Sequence, residues 1–247
     1  MRCRISGWVK IVVAYIAVSQ GVLTADYCAR FVGSYLVNPP GIDHQTIVVA
    51  NGGPLPKETA LLFDPLSAAF MPRDNDGGHD LSGYHQVARE VPCDLLVCQG
   101  ESLHYHRPGW LKKIADAYSN FGEGMYGMFS SYLVRPHLNT TGFAISPNLL
   151  LNYPTPTNHD ERYAEEHGPN CLWKRVQAAG KAVKLITWDG AWDHFQWRVP
   201  RDCLWKGNQS NCLAYCSHTD RFFAADAATK RAWSAWADGQ MTSKRLR

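Results

Sequence analysis

Three catalytic signatures are missing from this chain. No G-x-G-x-x-G turn follows its first apolar segment, no G-x-x-x-x-G-K-[ST] loop is present, and there is no G-x-S-x-G elbow. Their absence argues against a dinucleotide oxidoreductase, a P-loop enzyme and an α/β-hydrolase. No apolar run is long enough to cross a membrane, and there is no internal repeat or low-complexity tract. A net charge of +3 without a long basic stripe gives nucleic acid nothing to bind. The basic end "TSKRLR" reads as a solvated tail. The 8 cysteines lack the paired two-residue spacing of structural zinc sites, and Cys212, Cys216 and His218 come no closer than a loose cluster. Cys28, Cys98 and Cys171 lie in apolar stretches and read as small buried thiols.

What is present is a 247-residue chain, 45% hydrophobic, with 9 tryptophans. That length suits one α/β domain with a full core, and residues 1–247 are taken as a single domain. The start admits two readings. "MRCRISGWVKIVVAYIAVSQGVLTA" resembles a secretory signal, with basic residues before an apolar stretch that ends in small ones. The short, β-branched run Ile11–Val18 is also a first buried strand, followed by Thr24 as N-cap and a helix with Tyr27, Phe31 and Tyr35 on one face. The strand is preferred, which predicts a cytoplasmic, reduced protein, peripheral to a membrane at most. A secreted protein is the alternative, and only then would Asn139-Thr140-Thr141 and Asn208-Gln209-Ser210 be glycosylation sequons.

Strands and helices then alternate. "HQTIVVA" (44–50) predicts a second strand, 58–63 a short helix and 68–71 a third strand. The later part of "PRDNDGGHDLSGYHQVARE" predicts a helix with Tyr84, Val87 and Ala88 inward. Asp94–Cys98 predicts a fourth strand and Pro108–Tyr118 the next helix. Such alternation argues for a largely parallel sheet covered by helices on both faces. Further on, "TTGFAIS" and "AVKLITW" predict strands. Residues 147–151, 211–215 and 222–236 predict helices, as does "CLWKRVQAAGK", with Leu172, Arg175, Val176 and Ala179 clustered before Gly180. "PTPTNHDERYAEEHGPN" reads as a polar, turn-rich loop.

In an open parallel sheet, ligands bind beyond the carboxyl ends of the strands. Here those ends carry Ser19, then Asn51-Gly52-Gly53, then Gln99-Gly100-Glu101. Glycines admit close backbone approach, while Asn, Gln and Glu supply polar contacts.

Taken in order, "IAVS…IVVANGG…NDGGHDLSGY…LLVCQGESLHYHRPGW…TTGFAIS…EEHG…GNQSN" resembles the glycosyltransferase family 2-like proteins with a GT-A fold. The stretch "RDNDGGHDLSGY" is similar to the N-x-G-x-D-x-G-G-[FY] segment of rhamnan-synthesis-type members. "RPGWL" is similar to the "PPGWL" that follows the D-x-D turn in many others. The resemblance implies a Rossmann-like three-layer α/β/α sandwich with a mostly parallel central sheet. It also implies a nucleotide-diphosphate sugar donor and a glycan or other hydroxyl acceptor, with inversion at the transferred sugar. For donor binding it points to Ala17, Val18, Ser19, Asn51, Asp76, Asp80, Gln99, Gly100 and Glu101. Both aspartates equally suit turn formation and helix capping.

The departure is at the D-x-D position, which reads Gln99-Gly100-Glu101. A neutral amide replaces one of the two anionic groups that hold Mg²⁺ or Mn²⁺ against a diphosphate, so metal binding is expected to be weaker. Glu101 and His218 are the expected metal ligands. His104 and His106 are nearer but only two apart on a loop. The general base expected from the resemblance falls at "AEEHG", with Glu166 ahead of Glu165 and His167 as a helper. The same glutamates could simply favour the positive N-terminus of the helix that follows. Trp188, Asp189 and Trp192 are expected to bind the acceptor, by stacking and hydroxyl contacts, with Asp193 a further candidate. The competing expectation is a catalytically degenerate GT-A domain that binds carbohydrate or a partner.

Overall fold

The computed structural model describes residues 9–74, 77–131, 137–197, 209–217, 219 and 224–237. The first strand, β1 (Ile11–Val18), is apolar on both faces and buried on both. Ile11, Val13, Tyr15 and Ala17 enter one core, while Val12, Ala14 and Ile16 enter a second on the opposite face. That two-sided burial is why the run shows no alternation. Around it form β2 (Gln45–Asn51), β3 (Ala69–Arg73) and β4 (Leu95–Gln99), all parallel to it. Beyond β4 lie β9 (Gly142–Ile145), β6 (Gly124–Gly127), β10 (Ala182–Ile186) and the edge strand β11 (Ala191–Trp192). The 8-stranded sheet runs β11-β10-β6-β9-β4-β1-β2-β3, with β9 and β11 antiparallel to their neighbours. The expected mixed α/β architecture with a mostly parallel sheet is therefore present.

Helices α1 (Thr24–Val37) and α4 (Trp110–Phe121) cover the first core. There Tyr27, Phe31 and Tyr35 are buried at helical spacing with Trp110, Leu111 and Ile114. The second core is covered by α3 (His79–Glu90), α5 (Pro147–Leu151) and α7 (Leu172–Ala178). Between β2 and β3 come the short α2 (Lys57–Leu61) and one 3₁₀ turn. The break "NPPG" serves α4: the carbonyls of Pro39 and Pro40 accept from Gly109 N and Lys112 N at 2.7 and 3.1 Å, satisfying first-turn donors that a helix leaves open.

Several expectations are corrected. Thr24 is not the N-cap of α1; Leu23 holds that place, and the Thr24 hydroxyl donates to Val18 O. The presumed loop contains α6 (His159–His167), whose cap Asn158 accepts from Glu161 N at 2.9 Å. Its buried face is Arg162, Glu166 and His167, so hydrophobic periodicity has nothing to register. In α7, Ala179 is exposed and Trp173 takes its place in the core. Residues 211–215 are not helical: Cys212 bridges Thr187, and β12 (Tyr215–Cys216) pairs with β5 (Leu103–His104). Strand β6 has no counterpart in the sequence reading. Its Gly124 packs so closely that a Cβ would lie 2.2 Å from Ala182 O, so glycine stands where a strand former would be sought. A two-stranded hairpin, β7 (Ser130–Ser131) with β8 (His137–Leu138), and a last helix, α8 (Ala227–Ala237), complete the described elements. Among the described residues no helix is long and apolar enough to cross a membrane.

Candidate active site

Strands β2 and β3 lie on one side of β1 and β4 on the other, so the chain changes direction across the sheet between β1 and β4. Loops leaving such a point diverge and open a crevice. Ser19 leaves β1 and ties to the β2 loop, its N donating to Asn51 O at 2.9 Å and its Oγ to Gly53 O at 2.5 Å. Gly52 and Gly53 have φ of 100° and 103°, where side chains are strained, and both turn their N–H groups onto Arg73 O. Arg73 Nη1 donates to Asn51 Oδ1 at 2.8 Å, so this buried asparagine is held from below. Ala17 is fully buried in the core and offers a ligand nothing, whereas Val18 and Ser19 are partly exposed.

Across the crevice, the three residues after Cys98 behave differently from one another. Gln99 is 0% exposed, with its Nε2 3.2 Å from Met128 Sδ and no described partner for its Oε1. It is a core residue and presents no atom to the rim. Gly100 donates to Thr141 O at 2.7 Å, and a Cβ there would sit 2.3 Å from Thr141 Cγ2. Glu101 lies beside the end of β1: its backbone O accepts from Tyr15 Oη at 3.0 Å, and its carboxyl is near the Val18 N–H. Burial raises its carboxyl above the ordinary range, the Val18 N–H works against that, and the negative charge of Asp80 adds to it. Ser19 is thus tied to Asn51, and Glu101 lies beside the same end of β1.

Beneath the rim, α3 and α6 meet through Arg162. Its Nε and Nη2 donate to the two oxygens of Asp80 at 2.8 and 2.7 Å, and its Nη1 donates to Glu166 Oε2 at 2.5 Å. Thr140 Oγ1 donates to the same Oε2 at 2.7 Å. Burial alone would raise the Glu166 carboxyl, but Arg162 first, then His167 and His137, hold it well below the usual carboxylate range. Burial would likewise lower Arg162, and the two carboxylates drive it the other way. Glu165 points elsewhere, pairing with Arg175 of α7, while burial raises its carboxyl. The adjacent glutamates therefore serve different partners.

The residues expected at the acceptor do not form one face. Trp188 packs on the first core, with Arg107 and Lys113 5.4 and 5.7 Å from its ring centre. Trp192 packs on the second core, across the sheet. Its Nε1 donates to Thr187 Oγ1 at 2.8 Å, and that hydroxyl donates to Asp189 Oδ1 at 2.5 Å, so Trp192 and Asp189 build the β10–β11 turn. Asp193 pairs with Lys184 at 2.7 Å. His104, in β5, stacks on Tyr215 of β12, and His106 packs edge-on to the same Tyr215 with its Nε2 2.6 Å from Cys212 O. Asp76 and His218 lie outside the described residues. Cys28, Cys93, Cys98, Cys171, Cys212 and Cys216 are free thiols.

Sequence reasoning overlooked Arg162, Arg73, Thr140 and His137. One signal was available for the first: "TNHDER" carries Asn158 three residues before Glu161, whose carboxylate accepts from Thr157 N at 2.8 Å, the pattern of a capped helix start. Arg162 and Glu166 then stand four apart on one face.

No protein-family model and no curated protein matches the chain. Among solved structures, a 1–349 fragment of S. aureus TarS aligns at 11% identity over 62% of this chain and 52% of that one, with a TM-score of 0.46. The same fragment in complex with UDP gives 10%, 62%, 53% and 0.46 in the same order. Mannosyltransferase PcManGT from Pyrobaculum calidifontis, in complex with GDP-Man and Mn²⁺, gives 9%, 65%, 52% and 0.44. These are loose likenesses, and the chain spans about half the length of each of these structures.

Proposed function

We propose that this chain is a glycosyltransferase of the GT-A type, one domain that binds a nucleotide-diphosphate sugar in the crevice between β1 and β4. In this reading it passes the sugar to a glycan or other hydroxyl acceptor. The observation that carries it is Glu101 held beside the end of β1, its backbone O accepting from Tyr15 Oη at 3.0 Å and its carboxyl near the Val18 N–H, with Ser19 tied to Asn51 on the same rim. The ordered motif resemblance to family 2-like transferases supports it independently.

The rim suits a hard cation held chiefly by Glu101. Its carboxylate is partly exposed and destabilised by burial and by Asp80, so a positive charge there would be welcome. Mg²⁺ or Mn²⁺ would supply charge compensation for the diphosphate, with Gln99 taking no part. In this proposal Glu166 is a positioning residue. A base needs a free oxygen and a pKa near working pH, whereas Glu166 is saturated on Oε2 and held acidic. It anchors α6 and the Thr140–Thr141 turn, and Thr141 O in turn holds Gly100. The acceptor side is assigned to the rim beyond β10, where Trp188 stands about 14 Å from Glu101, three strands away at the usual spacing. Inversion is carried over from the resemblance.

The buried, acid-held Glu166 and the core-facing Gln99 favour one competitor, a domain that binds the donor without turning it over. Thermal shift with UDP, GDP, UDP-GlcNAc and GDP-mannose, with and without Mn²⁺, tests the shared premise. A nucleotide at a hundred times its Kd should add about 2.7 kcal/mol, or roughly 5–10 °C. Glu101→Ala should abolish the Mn²⁺-dependent part. No shift with any nucleotide refutes both readings, while binding without donor hydrolysis or transfer selects the second.

A further inference from the structure

We propose that His137, Glu166 and His167 form a site for a divalent transition metal, with zinc as the ion that best fits two imidazoles and one carboxylate. The inference does not depend on the nucleotide-sugar reading. His137 Nε2 lies 3.4 Å and His167 Nε2 3.7 Å from the same Glu166 oxygen, Oε1, and the three donor atoms lie within 4.8 Å of one another. Ligands at about 2.0–2.1 Å from a tetrahedral zinc stand about 3.3–3.4 Å apart. The His137–Glu166 spacing is already there and the His167–Glu166 spacing is a few tenths of an ångström long, while the two imidazole donors, within 4.8 Å, would close on the ion. The rings meet at 78° with centroids 4.4 Å apart, so their edges converge on the carboxylate instead of stacking.

Two features beyond the three donors point to a cation. Arg162 and Thr140 occupy Oε2, which leaves Oε1 turned toward the imidazoles and fixes the carboxylate as a one-oxygen ligand. Partners of that kind orient the ligands of metal centres. Asp80 and Glu166 also share the one guanidinium of Arg162, with side chains 14%, 4% and 9% exposed, so the described ion pairs here hold more carboxylate than guanidinium. His137 and His167 are 1% and 8% exposed, so bulk water has little access, and the fourth position of a tetrahedral ion would take a single water. The ion would pin the β7–β8 hairpin to the last turn of α6. This set is separate from Glu101 and from the hard cation proposed at the rim.

The test uses the full chain prepared without a polyhistidine tag and stripped with chelator. Zinc uptake is measured by competition with a chromophoric chelator, and Co²⁺ uptake by its visible ligand-field bands. The expected result is one equivalent of either ion per chain and a raised Tm, lost in His137→Ala and in His167→Ala. Thr140→Val keeps all three donors and should weaken zinc about 10–100-fold. Failure of the parent to take up either ion stoichiometrically overturns the proposal even if the alanine variants do not fold. So does unchanged uptake in the folded His137→Ala/His167→Ala double variant. Nucleotide binding can survive either outcome, so this site and the nucleotide-sugar reading fail separately.

Discussion

Replacing Arg162 by methionine should be among the most damaging single changes in this chain, and it should invert how stability responds to pH. The guanidinium joins Asp80 and Glu166 with a two-pronged contact to one and a single bond to the other, all largely out of water. Removing one member of a buried ion pair costs about 3–5 kcal/mol, because the partner is left charged and unsolvated. Here two partners are stranded, which places the loss at the upper end, a fall in Tm of roughly 10–20 °C for a chain of this size.

The sign with pH follows from Glu166. In the parent its carboxyl is held below its unfolded value, so it contributes stability above the ordinary carboxylate pKa and loses that contribution as pH falls through the depressed one. Without Arg162, burial is expected to outweigh what His167 and His137 still contribute, so that the folded pKa rises above the unfolded one. The variant should then be most stable where Glu166 is protonated and lose stability as pH climbs from about 4 toward 7. Urea denaturation of both proteins at half-unit pH steps measures this directly, with Arg162→Lys as a control that keeps the charge and loses the fork. A loss under about 1 kcal/mol, or a variant whose stability still rises with pH over that range, would refute the reasoning by showing the network screened by water.

Gln99→Met should be neutral or stabilising by up to about 1 kcal/mol, since it removes a buried carbonyl without a described partner. Gln99→Asp, by contrast, should cost several kcal/mol by placing a carboxylate in the core; urea midpoints that rank the two the other way, with tighter Mn²⁺ binding for the aspartate, would return Gln99 to the rim. Gly100→Ala should cost about 1–3 kcal/mol because its methyl meets Thr141 Cγ2. Adding Thr141→Ser should recover most of that loss, and a double-mutant cycle with no coupling would show the clash relieved elsewhere.

The first half of the fold was legible because its buried strands and helices carry apolar side chains. The run Ile11–Val18 and the spacing of Tyr27, Phe31 and Tyr35 report burial directly, and both sit where such patterns put them. The same logic located three strand ends whose residues meet at the rim. It failed wherever the buried surface is polar or absent. Helix α6 hides Arg162 and Glu166 on its inner face, and β6 achieves its packing with glycine, so neither produces a hydrophobic period.

Side-chain direction was beyond reach for a related reason. Gln99 and Glu101 are two residues apart, yet one belongs to the core against Met128 and the other faces the crevice. Glu165 and Glu166 are neighbours whose partners lie on different elements. The local sequence by itself determined the first four strands, the parallel α/β character and the strand ends that carry Ser19, Asn51 and Glu101, because burial and turn chemistry are local. Only the tertiary structure decided which acids are free, which are paired and which histidines converge. Those outcomes depend on long-range partners, such as Asp80 with Arg162 across 82 positions, which no local pattern encodes.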